Sequence, residues 1–200
     1  MSLFPKEPKK IKERISRYER ELRKEYEKLG DLGDGYGKRY LLGPLYLLLG
    51  DIAGALKSFE WYDKTFPDDS SEPFHFLSWA LVLYRSGNLP GAEKKLRKTM
   101  FSNLYLIPNL IGLKHVRLDI WRGSNIEEPE YIYDFPLELI ATWEEAELKW
   151  ARKTYEKQEF QQARSRYIEI FHQLLNEPIG PKRSKLVEEA YNLKALSLYQ

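Results

Sequence analysis

An all-α fold is what this sequence predicts, and three observations predict it. Gly50-Asp51-Ile52-Ala53-Gly54-Ala55 returns 37 residues later as Gly87-Asn88-Leu89-Pro90-Gly91-Ala92. A fixed offset of that size marks helical hairpins stacked side by side. Elsewhere, apolar residues recur at steps of three and four, which puts them on one helical face. No stretch carries the sustained alternation that a half-buried sheet requires.

The elements follow in order. Residues 6–28 read as a charged amphipathic helix with Ile11, Ile15, Tyr18, Leu22 and Tyr26 as its apolar stripe. Pairs such as Glu13–Arg17 and Glu19–Arg23 stand one turn apart and support an exposed helix. Leu29 to Gly37 is glycine-rich and reads as a linker. Residues 38–50 form a helix, and Asp51 caps the next, which runs to Phe66. Pro67 to Pro73 is a turn-rich connection. Phe74–Ser86 leads a second hairpin, and Pro90 opens its partner, which runs to Leu104, at a first-turn position where its missing N–H costs nothing. A short helix is expected over Asn109–Trp121, then an irregular loop over Arg122–Tyr133. Asp134 reads as the N-cap of a long helix to Lys157, with Pro136 in its first turn. Residues 159–175 pair with it. Asn176 to Pro181 is a stop, and Ser184 caps a final helix over 184–200 whose buried face draws on Leu186, Val187, Ala190, Leu193 and Leu196.

Composition narrows the function classes. Hydrophobic residues make up 42% and charged residues 31%, which fits an ordinary globular chain and excludes a disordered one. The net charge of +2 exerts no global pull on nucleic acid or membrane. Cysteine is absent, which removes disulfides, thiolate metal sites and cysteine nucleophiles together. No apolar run reaches the ~18 residues a membrane span needs. The N-terminus shows no signal-peptide core, so a cytoplasmic setting is expected.

The repeat has a physical reason. Small residues at Gly43 and Ala55 let two helices approach closely, while Tyr46 and Phe59 fill the space between them. Gly50 permits the tight turn. Counted from Tyr36, Leu42, Gly43, Tyr46, Gly50, Ala55, Phe59 and Pro67 occupy positions 7, 8, 11, 15, 20, 24 and 32 of a 34-residue unit. In this spacing the chain resembles the tetratricopeptide repeat family. Arg39 stands where that family often has Trp, and Tyr62 where it usually has Ala. A second unit, about 73–106, matches through Trp79, Ala80, Leu83, Ala92 and Leu96. A degenerate third, 144–177, matches through Trp150, Ala151, Ala163 and Tyr167, with Gln158 replacing the turn glycine. The expected organisation is an N-terminal helix, 1–30, followed by a helical domain, 36–200, whose first unit spans 36–69.

The resemblance implies a short right-handed superhelix whose leading helices line a concave groove. Its groove positions fall on Tyr40, Pro44, Leu47 and Leu48 in the first unit. In the second they fall on Phe74, Leu77, Leu81, Tyr84 and Arg85. This apolar, aromatic-edged surface suits a peptide or protein segment, or burial under the chain's own helices. The Asn and Lys/Arg pattern by which chaperone-binding members hold a carboxylate tail is missing, since Leu41 and Ser78 stand at those positions. The expected function is a non-catalytic adaptor or scaffold that takes a protein partner, a second copy of the chain included.

No catalytic residue, cofactor site or metal site is expected. His75, His115 and His172 are far apart in sequence and lack a zinc-binding spacing. Asp68, Asp69 and Glu72, like Glu127, Glu128 and Glu130, lack the order of a calcium loop. Gly33–Gly37 does not follow a strand, so it is no phosphate loop. Two rival readings remain. One is a nucleic-acid surface built from residues 6–28 with Lys94, Lys95, Arg97 and Lys98, weakened by the ten basic and six acidic residues that intermix over residues 1–30. The other is an enzyme with a site in 105–133, using His115 and Asp119.

Overall fold

The computed structural model describes residues 3–30, 34, 35 and 37–199, with side chains for all of these except Leu29 and residues 195–199. The expected unit start at Tyr36, the Asp31–Gly33 part of the linker, and Leu196 as a core residue lie outside what is described. Among the described residues the fold is all-α, with no strand. The helices are α1 (Pro8–Leu29), α2 (Lys38–Leu48), α3 (Ile52–Thr65), α4 (Pro73–Arg85) and α5 (Leu89–Ser102). After them come α6 (Leu106–Leu110), two 3₁₀ turns (Asn125–Glu127 and Pro129–Ile132), α7 (Leu137–Ile140), α8 (Glu145–Tyr155), α9 (Gln158–Gln173) and α10 (Pro181–Tyr199).

The chain forms two compact units. The first takes residues 1–92 and 136–143, and the second takes 93–135 and 144–200. In the first, α2 is central. It packs against α1, α3, α4 and α7, while α3 also packs against α4. This is consecutive helix-on-helix packing of a general helical-repeat kind. The α2–α3 contact is tight because residue 43 has no side chain: a Cβ there would lie 2.4–2.9 Å from the Phe59 ring. Ala55 and Phe59 are fully buried beneath it.

The repeated hexapeptide is also a repeated geometry. Gly50 and Gly87 hold φ of +73° and +83°, a left-handed conformation that costs other residues about 1 kcal/mol. Asp51 then accepts the Gly54 N–H at 2.8 Å, and Asn88 accepts the Gly91 N–H at 2.9 Å. One short polar side chain thus satisfies a helix-start donor in each copy.

The start of α2 is fixed by a residue that the sequence reading passed over. The buried Asp34 carboxylate accepts the backbone N–H groups of Lys38 and Arg39 at 3.0 and 2.8 Å. Arg39 in turn bonds Asp69 at 2.7 Å, which ties the α2 start to the α3–α4 connection.

In the second unit, α8 packs against α6 and α9, and α9 packs against α10. Asn103 organises the bend after α5. Its Oδ1 accepts the N–H groups of Tyr105 and Leu106, and its Nδ2 donates to the carbonyls of Ile126 and Glu128. A bidentate Arg166–Glu189 pair at 2.6 and 2.7 Å joins α9 to α10.

Three expected elements differ from the structure. The helix over 109–121 is only α6, because Gly112 at φ +69° ends it and Leu113 N–H caps the Pro108 carbonyl at 2.8 Å. Residues 113–122 then run without helix, held by Leu118 N–H to the Tyr105 hydroxyl at 3.0 Å and Trp121 N–H to the Phe171 carbonyl at 2.9 Å. The long helix over 134–157 is two helices. Pro136 flanks α7, Asp134 caps nothing, and Glu147 takes the Glu144 N–H at 2.7 Å to restart the chain as α8. The last helix begins at Pro181 rather than Ser184, whose hydroxyl donates back to the Gly180 carbonyl at 3.3 Å. On that helix Leu186 and Ala190 are buried, while Val187 is half exposed.

Candidate functional site

An open concavity lies in the first unit, between α1 and α3. Both helices rest on α2 and make little contact with each other. The cleft between them measures about 860 Å³. Glu19, Leu22, Arg23 and Tyr26 form one wall, spaced three and four apart so that they make a single ridge of α1. Gly54, Lys57, Ser58, Trp61 and Thr65 form the facing ridge of α3, and Leu42 and Tyr46 form the floor.

The electrostatics of the cleft follow from one hydrogen bond. The Tyr46 hydroxyl donates to Glu19 at 2.6 Å. Burial pushes the Tyr46 hydroxyl pKa up, and the Glu19 carboxylate adds to the shift. Glu19 therefore turns toward Tyr46 rather than toward Arg23, the pairing its spacing suggests. Arg23 and Lys57, on opposite walls, form no ion pair among the described residues. Ser58 is buried, and its hydroxyl has no hydrogen-bond partner. A buried polar group left unpaired is costly, so it marks a place where a partner atom fits. At the rim, Tyr26 is 59% exposed, and Trp61 is half-buried with its ring edge-on to Phe66 at 5.7 Å.

The residues expected to line a leading-helix groove differ in burial. Pro44, Leu47, Phe74, Leu77 and Leu81 are buried in the core of the first unit. Tyr40, Leu48, Tyr84 and Arg85 are half-buried. The Tyr40 hydroxyl accepts from Arg39 at 2.6 Å and donates to Asp69 at 2.7 Å, so it serves the α3–α4 connection. Arg85 donates to the Thr142 carbonyl at 2.6 Å. The 136–143 segment thus lies on this face, with α7 against α2 and with Leu139 and Trp143 buried.

The titratable clusters hold structure together. His75 is fully buried, with the rings of Tyr62 and Phe59 at 4.4 and 5.0 Å. Its Nδ1 lies 2.7 Å from the Ser71 hydroxyl. Ser71 adopts φ +59° and is itself buried, so this serine–histidine contact faces no cleft that a substrate could enter. His115 packs edge-on against Tyr105 at 5.7 Å, and the Asp119 carboxylate stands exposed 3.9 Å from His172, so the suggested His115–Asp119 pair does not form. Lys95 is buried, and Arg97 lies over the Phe101 ring at 6.0 Å, so the basic run on α5 is not one exposed patch. Among the described residues, no group of three or more acidic or imidazole side chains could hold a metal ion, and no helix is long and apolar enough to cross a membrane.

Leu22, Tyr26, Tyr46 and Gly54 were each visible in the sequence as stripe or repeat residues. What was missing was the position of α1, which alone turns them into a cleft. No protein-family model, curated protein or solved structure matches this chain.

Proposed function

We propose that this chain is a non-catalytic scaffold of tetratricopeptide type that captures a segment of another protein. The observation that carries the reading is the open cleft between α1 and α3, with its aromatic rim, its orphan hydroxyl, and Arg23 and Lys57, which form no ion pair among the described residues. The reading moves the docking surface away from the leading-helix face, where α7 and the Arg85–Thr142 contact already lie. The helical repeat supports it because such hairpins present grooves rather than reactive groups. The cysteine-free composition suits a reducing setting such as the cytoplasm.

The test compares proteins captured by the intact chain, by a Trp61→Glu variant and by a Leu48→Glu variant, each checked for its helical circular dichroism spectrum. Partners are expected to be lost with Trp61→Glu and kept with Leu48→Glu. Loss confined to Leu48→Glu would return the site to the leading helices. Retention by both would end the scaffold reading for this unit.

A further inference from the structure

The cleft also indicates what kind of segment enters it, an inference that rests on the scaffold reading above. We propose that its occupant is an amphipathic helix of about three turns from a partner protein, carrying a bulky apolar stripe flanked by acidic residues. Three observations lead there.

The first is shape. The α3 wall runs from Gly54 to Thr65. At 1.5 Å per residue this is a trough ~16 Å long, the span of ~11 helical residues. Two facing ridges separated by a gap are what a third helix packs into, its own i, i+4 ridge entering the groove.

The second is charge. Arg23 lines the cleft from α1 and Lys57 from α3, and Glu19 accepts a hydrogen bond from Tyr46. The lining therefore carries two cations, one from each wall, against the single carboxylate of Glu19, which the neutral Tyr46 hydroxyl bonds without neutralising, and an acidic flank on the entering helix finds the larger share of counter-charge. A basic flank would meet Arg23 and Lys57, with only the engaged Glu19 to offset them.

The third is the buried hydroxyl. Ser58 is nine-tenths buried, its oxygen has no partner, and it lines the cleft beside Leu22, Leu42 and Trp61. An incoming side-chain oxygen satisfies it, and the apolar neighbours take the adjoining side chain.

The experiment uses the intact chain and three fluorescein-labelled synthetic peptides read by anisotropy. One carries Leu and Trp at helical spacing with Glu flanks, one has the same stripe with Lys flanks, and one is the Glu peptide with a central Pro that breaks the helix. The Glu-flanked peptide is expected to bind on the order of tenfold more tightly than the Lys-flanked one. The Arg23→Glu/Lys57→Glu double variant is expected to invert that preference. The Pro peptide is expected to bind much more weakly. Ser58→Ala is expected to weaken the Glu-flanked peptide several-fold while leaving the melting temperature unchanged or higher, since it removes an unsatisfied hydroxyl from the empty cleft.

Equal affinity for the two flanks, a preference that survives the double charge reversal, or no binding by any peptide overturns the proposal. If the Lys-flanked or Pro peptide binds best and Trp61→Glu abolishes it, the cleft remains a protein-binding site and only the acidic helix fails. A dimer in sedimentation equilibrium that the double variant dissolves would make a second copy the occupant, and the acidic helix would again fall.

Discussion

Gly43 shows how much a single missing side chain decides. Its neighbour is the Phe59 ring, itself fully buried and stacked on Trp79 at 5.0 Å, so the ring has nowhere to move. Gly43→Ala is expected to destabilise the chain by about 1–3 kcal/mol by overpacking, against the general preference of helices for alanine. Urea denaturation measures it, and a gain in stability would contradict the close approach described for α2 and α3. At the same scale, Asp69 makes stability depend on pH. Burial alone would raise its carboxyl pKa, but the Ser71 N–H, the Tyr40 hydroxyl and the Arg39 guanidinium outweigh burial and hold it below the ordinary 3.8. A folded-state value that is lowered contributes stability in full above the ordinary value and loses it as pH falls through the lowered one. Asp69→Asn is therefore expected to be less stable than the parent at neutral pH, with the gap closing in acid. Thermal melts across pH 2–7 check this, and a gap that persists undiminished at the acid end would remove Asp69 from that role.

The elements divide into those that local residues determine and those that distant packing determines. The α2–α3 hairpin and its turn were legible because Gly50, Asp51 and Gly54 carry backbone demands that hold wherever the hairpin sits. The stripe of α1 was legible for a similar reason, with Ile11, Ile15 and Leu22 all buried. The break between α7 and α8 was not legible. Residues 134–157 have helix-compatible spacing throughout, yet Trp143 is drawn into the first unit's core and Glu144 restarts the chain as a new helix. Periodicity cannot reveal which core claims a residue. The same holds for the candidate cleft, whose wall residues were visible singly but whose opening depends on where α1 docks. Leu139 and Leu137, two residues apart on α7, test this account. Leu139 is buried and Leu137 is 77% exposed. Leu139→Ala is expected to cost about 2–4 kcal/mol and Leu137→Ala less than about 0.5. Equal effects in chemical denaturation would mean that α7 does not seat on α2.

At the scale of the whole molecule, each compact unit is built from two separate stretches of chain. Long-range closure of this kind slows folding, because loop entropy is spent before the contacts that offset it are made. The rival nucleic-acid reading also belongs at this scale. The net charge is +2, and the α5 basic run includes the buried Lys95, so that run does not present all its charge to a phosphate backbone.

The seating of residues 136–143 on α2 carries a consequence for how the protein is born. A nascent chain emerging from the ribosome can build the α2–α3 hairpin early, but the first unit lacks its last piece until residue 143 is out. For that interval α2 lacks the cover of α7, and the buried Leu139 and Trp143 have yet to join the first unit, so the newborn chain offers apolar surface that the finished protein conceals.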